Sequence, residues 1–416
     1  MNADGIDIDN RLPRKRVLIL VTDTGFGHRS AAEAVAGAIR LRYGHALTAA
    51  IVNPISETDA PEFVRSAQFD FDRIVRDWPQ FYRLSNRITN LGLSRGLNEV
   101  ALTFILYDSL STVVKQYQPD VIVITHPALQ YPLQGYMKIS GANIPLVTVI
   151  TDLVDLHRLW FSREIDRYFV PTALAAEKAE ERGVSPDRIR VTGLPVHPAL
   201  AQPAITPAQA RGDLGLRADL FTVLAVSSKR VEGIYPFIHT LNHCGHPIQI
   251  IAVAGGDNDV WEQLRQTEWH APARTFNYVE QMPPLIHAAD CVMTKAGGLI
   301  VAESMACGRP MLIMQHRSLH EDGNARYVVD NGAGDLTEEP LQLLETLSHW
   351  LADGAALFRQ RAAAARALGR PNAAFDVADA IFGLLQTDPS EAPRVSSSEQ
   401  QQLRQLWEEF RLQAEG

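Results

Sequence analysis

A short glycine-containing segment offers the clearest chemistry in this chain. It runs from Thr294 to Glu303 and reads Thr-Lys-Ala-Gly-Gly-Leu-Ile-Val-Ala-Glu. A strand pattern at 290–293 precedes the glycines and a helical pattern follows them. Free backbone amides at the start of such a helix bind phosphate, whereas Glu303, one helical turn further on, is suited to accept hydrogen bonds from two vicinal hydroxyls, as a ribose offers. The segment therefore predicts a nucleotide site.

A second glycine-containing loop follows the first predicted strand and ends at His28. Its Gly25-Phe26-Gly27 is a lone G-x-G, which is a weak signal. Dinucleotide binding would need a third glycine and an acid after the next strand, but the chain has Ser30 and Asn53 there. The sequence thus argues against a redox enzyme, and His28, placed where a helix begins, is a candidate catalytic or ligand-binding residue.

Composition narrows the class of protein. The 416 residues are 46% hydrophobic with a formal charge of −9, which suits two ordinary domains and argues against a nucleic-acid binder. Cys244, Cys291 and Cys307 lack paired spacing, so we expect reduced core cysteines and a cytoplasmic protein. No apolar run reaches the roughly 20 residues that span a bilayer, and residues 1–16 are polar rather than signal-like.

Apolar runs alternate with helical patterns in both halves, which predicts an α/β protein with two doubly wound parallel sheets. The predicted strands are 16–21, 47–52, 120–125, 146–150, 168–170 and 189–192, then 221–227, 248–254, 273–278, 291–294 and 311–314. Two Rossmann-like halves would face each other across a cleft, with ligands at the carboxyl ends of the strands.

The predicted domains follow from this pattern. Residues 1–15 are a flexible N-terminus, 16–200 an acceptor-binding domain and 201–386 a nucleotide-binding domain, with a Pro- and Gly-containing linker near their junction. Residues 387–416 are predicted to be a flexible tail that contains a short amphipathic helix.

Segments in both halves resemble the monogalactosyldiacylglycerol synthase family. That family also contains processive bacterial diacylglycerol glucosyltransferases and is related to the peptidoglycan N-acetylglucosaminyltransferase. The similar segments are 23–34, 151–153, 157, 160–161, 170–172, 193–196, 279–282, 287–290, 294–297, 302–303, 321–324 and 331–334. Any one of them is weak, but all of them in order are specific.

The resemblance implies a GT-B glycosyltransferase that inverts the anomeric centre and uses a base to activate the acceptor hydroxyl. His28 or Asp152 is the implied base, and such help accelerates a reaction about 10²–10⁴-fold. Asp152 could instead orient His28 or His157, and His126 is a further candidate base or a loop-packing residue. The implied acceptor-binding residues are Gly25, Phe26, Gly27, His126, His157 and Trp160.

The donor side divides into several tasks. The resemblance places Tyr278 against the uracil ring, with the Val279 amide selecting the base and Glu303 holding the ribose. Ala296, Gly297 and Gly298 let the backbone approach the nucleotide, and Glu321, Asp322 and Asn324 reach the sugar hydroxyls.

One departure concerns the phosphate loop, where the family has glycines and this chain has Ser228, Lys229 and Arg230. Two cations bind a diphosphate by charge, so we expect no metal and no cofactor. The altered loop also leaves open a sugar-nucleotide-binding protein without turnover.

The resulting expectation is a hexose transfer from UDP-galactose or UDP-glucose to diacylglycerol, with another lipid acceptor, such as a polyprenol-linked sugar or a glycolipid, as the alternative. We also expect binding to an anionic membrane on its inner face. Between 63 and 97 the chain interleaves Arg65, Arg73, Arg76, Arg83, Arg87 and Arg95 with Phe69, Phe71, Trp78, Phe81 and Tyr82. Alternatively, those apolar residues are core and the arginines a solvated face.

Overall fold

The computed structural model describes residues 14–22, 26–56, 97–201, 205–228, 233–314, 322–386 and 396–414. The chain divides into two compact units. The first comprises Met1–Thr151, Leu156–Thr192 and Ala374–Gly416, and the second comprises Asp152–Asp155 and Gly193–Ala373. The arginine-rich stretch before Leu97, with its predicted membrane contacts, lies outside the described residues.

The first unit contains a six-stranded sheet in which every pairing is parallel. Its strands follow the order β2-β1-β3-β4-β5-β6. Near-continuous apolar runs form the central strands because helices cover both faces of such a sheet. The strands are β1 Lys15–Leu20, β2 Leu47–Val52, β3 Val121–Ile124, β4 Leu146–Val149, β5 Arg167–Val170 and β6 Ile189–Val191.

Among the described residues of this unit, four α-helices follow strands of the sheet or lie between them. They are α1 Phe26–Tyr43, α2 Leu97–Tyr117, α3 Gln130–Ser140 and α4 Ala173–Glu181. The core contains Leu18, Ile124 and the fully buried Trp160 and Tyr168. The strand order reverses between β1 and β3, because β2 is added on one side of β1 and β3 on the other. The carboxyl ends of β1 and β3 therefore form the switch point where ligands bind in such sheets.

The two C-terminal helices belong largely to this first unit, which differs from the predicted boundary at residue 386. They are α13 Ala373–Gln386 and α14 Ser397–Ala414. On α13, Asp379 accepts hydrogen bonds from Arg42 and Tyr43, and the Phe382 ring stacks on Tyr43. The sequence could not reveal this placement because these contacts join positions more than 300 residues apart, as with the 337-residue separation of Arg42 and Asp379.

The terminal helix is also longer and better packed than the short tail helix that the sequence predicted. Leu406 is 9% exposed within the core of the first unit, and the Trp407 ring lies 4.3 Å from that of Tyr107. An amphipathic helix gains most of its stability from such packing, which the spacing of apolar residues alone did not reveal.

The second unit repeats the architecture with strand order β12-β11-β10-β7-β8-β9. The predicted doubly wound fold is thereby confirmed. The strand order reverses between the parallel strands β7 and β10, where Thr294 pairs with Val226 at the strand ends. The strands are β7 Phe221–Val226, β8 Ile248–Val253, β9 Ala273–Phe276, β10 Cys291–Thr294, β11 Met311–Met314 and β12 Gly334–Thr337.

The edge strand β12 was missed because its sequence, Gly-Asp-Leu-Thr, has little strand character. Tertiary contacts satisfy its charge: Arg361 contacts both Asp335 oxygens, at 2.6 and 2.9 Å, and Trp350 donates to one of them at 2.7 Å. The remaining helices of this unit are α5 Pro207–Asp213, α6 Ile234–Asn242, α7 Asn258–Gln266, α8 Pro283–Ala288, α9 Gly298–Ala306, α10 Asp322–Asp330, α11 Pro340–Leu351 and α12 Ala356–Leu368.

Within the described ranges, no helix is both long and apolar enough to cross a bilayer.

Candidate functional site

His28 occupies the first turn of α1, at the switch point of the first sheet. Its ring is half-buried, and its Nδ1 lies 2.9 Å from the Thr125 carbonyl oxygen and 2.6 Å from the Thr151 hydroxyl oxygen. These partners follow β3, which lies beside β1, and β4, which is the next strand in the sheet.

The contact with Thr125 determines the protonation of the ring. A carbonyl oxygen can only accept a hydrogen bond, so Nδ1 carries the proton and points it at Thr125 and Thr151. In the neutral ring the lone pair is then on Nε2. The base role that the sequence predicts for His28 would therefore use Nε2. Two threonines thus contact His28 Nδ1, and the orienting role that the sequence left open for Asp152 stays a prediction.

His126 packs against His28 but has different chemistry. The two ring centroids are 4.5 Å apart, and His126 Nδ1 accepts a hydrogen bond from the Ala128 amide at 3.2 Å. Burial, with the neighbouring His28 as a second cause, lowers the pKa of His126 to about 3. A base that weak is unsuited to catalysis at neutral pH, so His126 fits the loop-packing alternative.

The other residues that were predicted to bind the acceptor differ in how far they are exposed to solvent. Trp160 is completely buried, and its ring centroid lies 6.2 Å from that of His28. Its role in binding the acceptor stays a prediction. His157 is exposed, but its Nδ1 caps the short 3₁₀ helix Arg158–Trp160 by accepting from the Leu159 amide. Gly27 is half-buried, and Gly25 and the Phe26 side chain lie outside the described residues.

Asp152 follows β4 and is half-buried. It begins the four-residue segment that belongs to the second unit, where Leu153 and Val154 are buried in the hydrophobic core. Its anchoring to that unit was not foreseen from the sequence.

The glycine segment of the second unit forms the predicted strand, turn and helix. Gly297 is the N-cap of α9, and no side chain caps the helix there. The first amides of a helix have no partners within it, so they are suited to hold a phosphate. Ala296 is buried, and its carbonyl accepts a hydrogen bond from Asn324 at 3.0 Å.

Glu303 lies in the second turn of α9 and is 7% exposed. Burial raises the pKa of its carboxyl to about 8. The sequence suggested a charged acceptor, whereas the structure indicates a carboxyl that is mostly protonated at pH 7 before any ligand binds. Ionisation of this group is therefore linked to whatever binds it.

Residues on the neighbouring strand ends complete this region. Tyr278, which follows β9, is 58% exposed, and an exposed aromatic ring is suited to stack on a base. Val279 packs partly into the core, and Asp322 begins α10. Ser228 is half-buried after β7. Lys229, Arg230 and Glu321 lie outside the described residues.

Sequence reasoning missed Gly255 in this region, whereas Ser227 begins the altered phosphate loop that the sequence revealed. Ser227 is 3% exposed, and its Oγ has no hydrogen-bond partner in the described part of the chain. Gly255, with φ +64°, passes so close to Ser227 that a Cβ would lie 2.1 Å from the Ser227 carbonyl oxygen. The Gly-Gly pair after β8 was the available signal for this close approach.

Comparisons with known proteins agree with this geometry. The family described as "Monogalactosyldiacylglycerol (MGDG) synthase" matches residues 28–196, and "Glycosyltransferase family 28 C-terminal domain" matches residues 225–377. The fold is similar to that of Acinetobacter baumannii MurG, with a TM-score of 0.57 and 17% identity over 89% of this chain and 99% of that one. The GT-B fold predicted from the sequence is thereby confirmed.

Two plant proteins are similar over most of their length. The chain is 30% identical over 400 residues to "Probable monogalactosyldiacylglycerol synthase 2, chloroplastic" of Oryza sativa subsp. indica, covering 92% of this chain and 83% of that protein. It is 31% identical over 388 residues to "Monogalactosyldiacylglycerol synthase 3, chloroplastic" of Arabidopsis thaliana, covering 89% and 82%. With both halves matched in order, the chain belongs to the monogalactosyldiacylglycerol synthase family.

Proposed function

We propose that this protein transfers a hexose, galactose or glucose, from a UDP-sugar to the hydroxyl of diacylglycerol, with inversion at the anomeric carbon. Family membership supports the substrate class. The observation that supports the chemistry is the placement of the His28 ring at the switch point, with Nδ1 in contact with Thr125 and Thr151. In the proposal, Nε2 is the base.

In the proposed reaction, Nε2 of His28 takes the acceptor hydroxyl proton as that oxygen attacks C1 of the hexose. The bond from C1 to the UDP oxygen breaks on the opposite face, and UDP leaves with the electron pair. The first amides of α9 stabilise the diphosphate charge, assisted by Lys229 and Arg230. Tyr278 stacks on the uracil, Val279 selects it, and Glu303 binds the ribose.

The test uses vesicles that contain diacylglycerol, with UDP-galactose and UDP-glucose compared side by side. We expect UDP release together with a monoglycosyldiacylglycerol, identified by mass, with a β-anomeric signal by NMR. Vesicles without diacylglycerol are the control. UDP binding without turnover on either donor would instead identify a sugar-nucleotide-binding protein, and turnover only with a glycolipid would move the acceptor to another lipid.

Thr151 gives a prediction about how His28 is held. Thr151→Val removes one of the two acceptors at Nδ1, and a hydrogen bond of this kind contributes about 0.5–1.5 kcal/mol. We expect kcat to fall about 2–10-fold while the KM for the UDP-sugar is unchanged, and Thr151→Ser should restore the rate. Thr112→Val is the matched control, because its hydroxyl bonds a backbone carbonyl on α2. Equal losses in the Val and Ser variants would contradict this role.

Membrane attachment is the second part of the proposal. Diacylglycerol stays in the bilayer, so the protein must reach the surface, and the arginines between 63 and 97 would supply about 1 kcal/mol each toward anionic lipid. Replacing Arg73, Arg76 and Arg83 with Glu should reduce sedimentation with phosphatidylglycerol vesicles but leave UDP affinity intact. A variant with Lys at the same three positions keeps the positive charge and should bind the phosphatidylglycerol vesicles as wild type does. Undiminished binding of the Glu variant would place the docking surface elsewhere.

A further inference from the structure

The segment Asp152–Asp155 connects two parts of the first unit but packs with the second. Its two apolar residues are anchored there: Leu153 is 3% and Val154 8% exposed, in a cluster that also contains Val301 on α9 and Val328 on α10. The next residue, Asp155, is therefore held by a fixed backbone next to the helices that bear the candidate donor residues.

Asp155 bonds directly to the beginning of α10. Its Oδ2 accepts a hydrogen bond from the Gly323 amide at 3.1 Å, across 168 residues of sequence. A carboxylate at the first turn of a helix is favourable because the unpaired amides and the helix dipole both attract negative charge. The acceptor at this helix end is thus supplied by a distant segment.

Gly323 is matched to this carboxylate. A Cβ at position 323 would lie 2.1 Å from Asp155 Oδ2 and 2.8 Å from Oδ1, well inside van der Waals contact. Only glycine lets the carboxylate come this close without displacement. The glycine in the Glu-Asp-Gly-Asn segment consequently has a specific partner.

The first turn of α10 also reaches the nucleotide segment. Asn324 is 7% exposed and donates from Nδ2 to the Ala296 carbonyl, immediately before the N-cap of α9. A continuous chain of contacts therefore runs from Asp155 through Gly323 and Asn324 to Ala296. A shift of the first turn of α10 would therefore move Asp322 and Asn324 together with the loop before α9.

We propose that Asp155 is a positioning residue of the donor site, which fixes the first turn of α10 and so the placement of Asp322 and Asn324 toward the transferred sugar. This inference rests on the proposed function for the identity of the donor. It assigns Asp155 no contact with the substrate.

The test compares Asp155→Ala, Asp155→Asn and Gly323→Ala. Asp155→Ala should raise the KM for the UDP-sugar about 3–10-fold, the scale of one hydrogen bond to a charged acceptor that is partly exposed, with the KM for diacylglycerol unchanged. Asp155→Asn keeps an acceptor oxygen without the charge and should give an intermediate value. Gly323→Ala should raise the same KM because its methyl group displaces the carboxylate.

The double variant separates positioning from a general loss of structure. Asp155→Ala removes the atoms that the methyl group of Gly323→Ala would strike, so the two effects should not multiply, and the double variant should resemble the worse single one. Asp213→Ala and Gly212→Ala remove an exposed carboxylate and an unobstructed glycine elsewhere in the second unit. Both controls should leave the KM unchanged.

Two results would overturn the inference: UDP-sugar KM values within twofold of wild type for both Asp155 variants, or effects of the two sites that multiply in full. Calorimetric binding of UDP-sugar to the same variants tests the positioning role even if diacylglycerol proves not to be the acceptor. A wild-type protein that binds UDP-sugar without turnover would contradict the proposed function and leave the Asp155 comparison intact.

Discussion

His28→Ala should lower kcat by about 10²-fold or more, because general-base help of this kind is worth about 10²–10⁴-fold. The lost group is the imidazole whose Nδ1 contacts Thr125 and Thr151 and whose Nε2 is the proposed base. UDP affinity should stay near that of wild type, since the ring belongs to the first unit and the nucleotide segment to the second. Steady-state rates with diacylglycerol vesicles and calorimetry with UDP provide the two measurements.

His349→Ala is a suitable control, because it removes an exposed imidazole on α11 in the second unit. Its kcat should be that of wild type. A His28 variant that kept most of its kcat would remove His28 as the base and make Asp152 the next residue to test.

Glu303→Ala should weaken UDP at least tenfold. Two ribose hydroxyls donating to the carboxylate would contribute about 1.5–3 kcal/mol each when desolvated. Ionising a carboxyl of pKa about 8 at pH 7 costs about 1.4 kcal/mol, so the hydrogen bonds outweigh the ionisation. Calorimetry with UDP measures the loss, and unchanged affinity would mean that the ribose lies elsewhere.

The raised pKa of Glu303 predicts that UDP binding is coupled to the release of a proton. The free carboxyl is protonated at pH 7 and the ribose favours the ionised form, so binding should release close to one proton, and UDP affinity should rise by up to tenfold per pH unit below pH 8. Calorimetry in buffers of different ionisation enthalpy counts this proton. Glu303→Gln is the matched control. Any protons that UDP itself gains or loses are the same with both proteins, so the difference in proton release comes from the Glu303 carboxyl.

The same group makes stability depend on pH. Because its pKa is about 8 in the folded protein and 4.5 ordinarily, the folded state binds more protons between these values. The free energy of unfolding contributed by this site is then largest below pH 4.5 and falls as pH rises toward 8. In Glu303→Gln this fall should be absent, so the variant should lose less thermal stability than wild type between pH 5 and 8.

The sequence alone predicted those parts of the fold and of the site that depend on residues close together in the chain. The central strands of both sheets are buried apolar runs, and β1, β3, β10 and β11 therefore lie close to their predicted positions. The nucleotide segment was recognisable because strand, glycine turn, helix and Glu303 all lie within one short stretch. A strand that is buried on both faces needs apolar residues, and the start of a helix favours particular residue types. Both requirements can be read from a short stretch of sequence.

Tertiary structure alone decided the features that join distant positions. The partners of His28 Nδ1 lie 97 and 123 residues away, and the Asp155 contact with Gly323 spans 168. The helices α13 and α14 join the first unit through contacts with α1 and α2 that no linker pattern signals. The pKa of Glu303 depends on the depth of its burial, which the sequence of α9 does not contain. These properties arise from contacts between segments that are distant in sequence and meet only after folding. Sequence patterns indicate only the secondary structure and burial of each segment by itself.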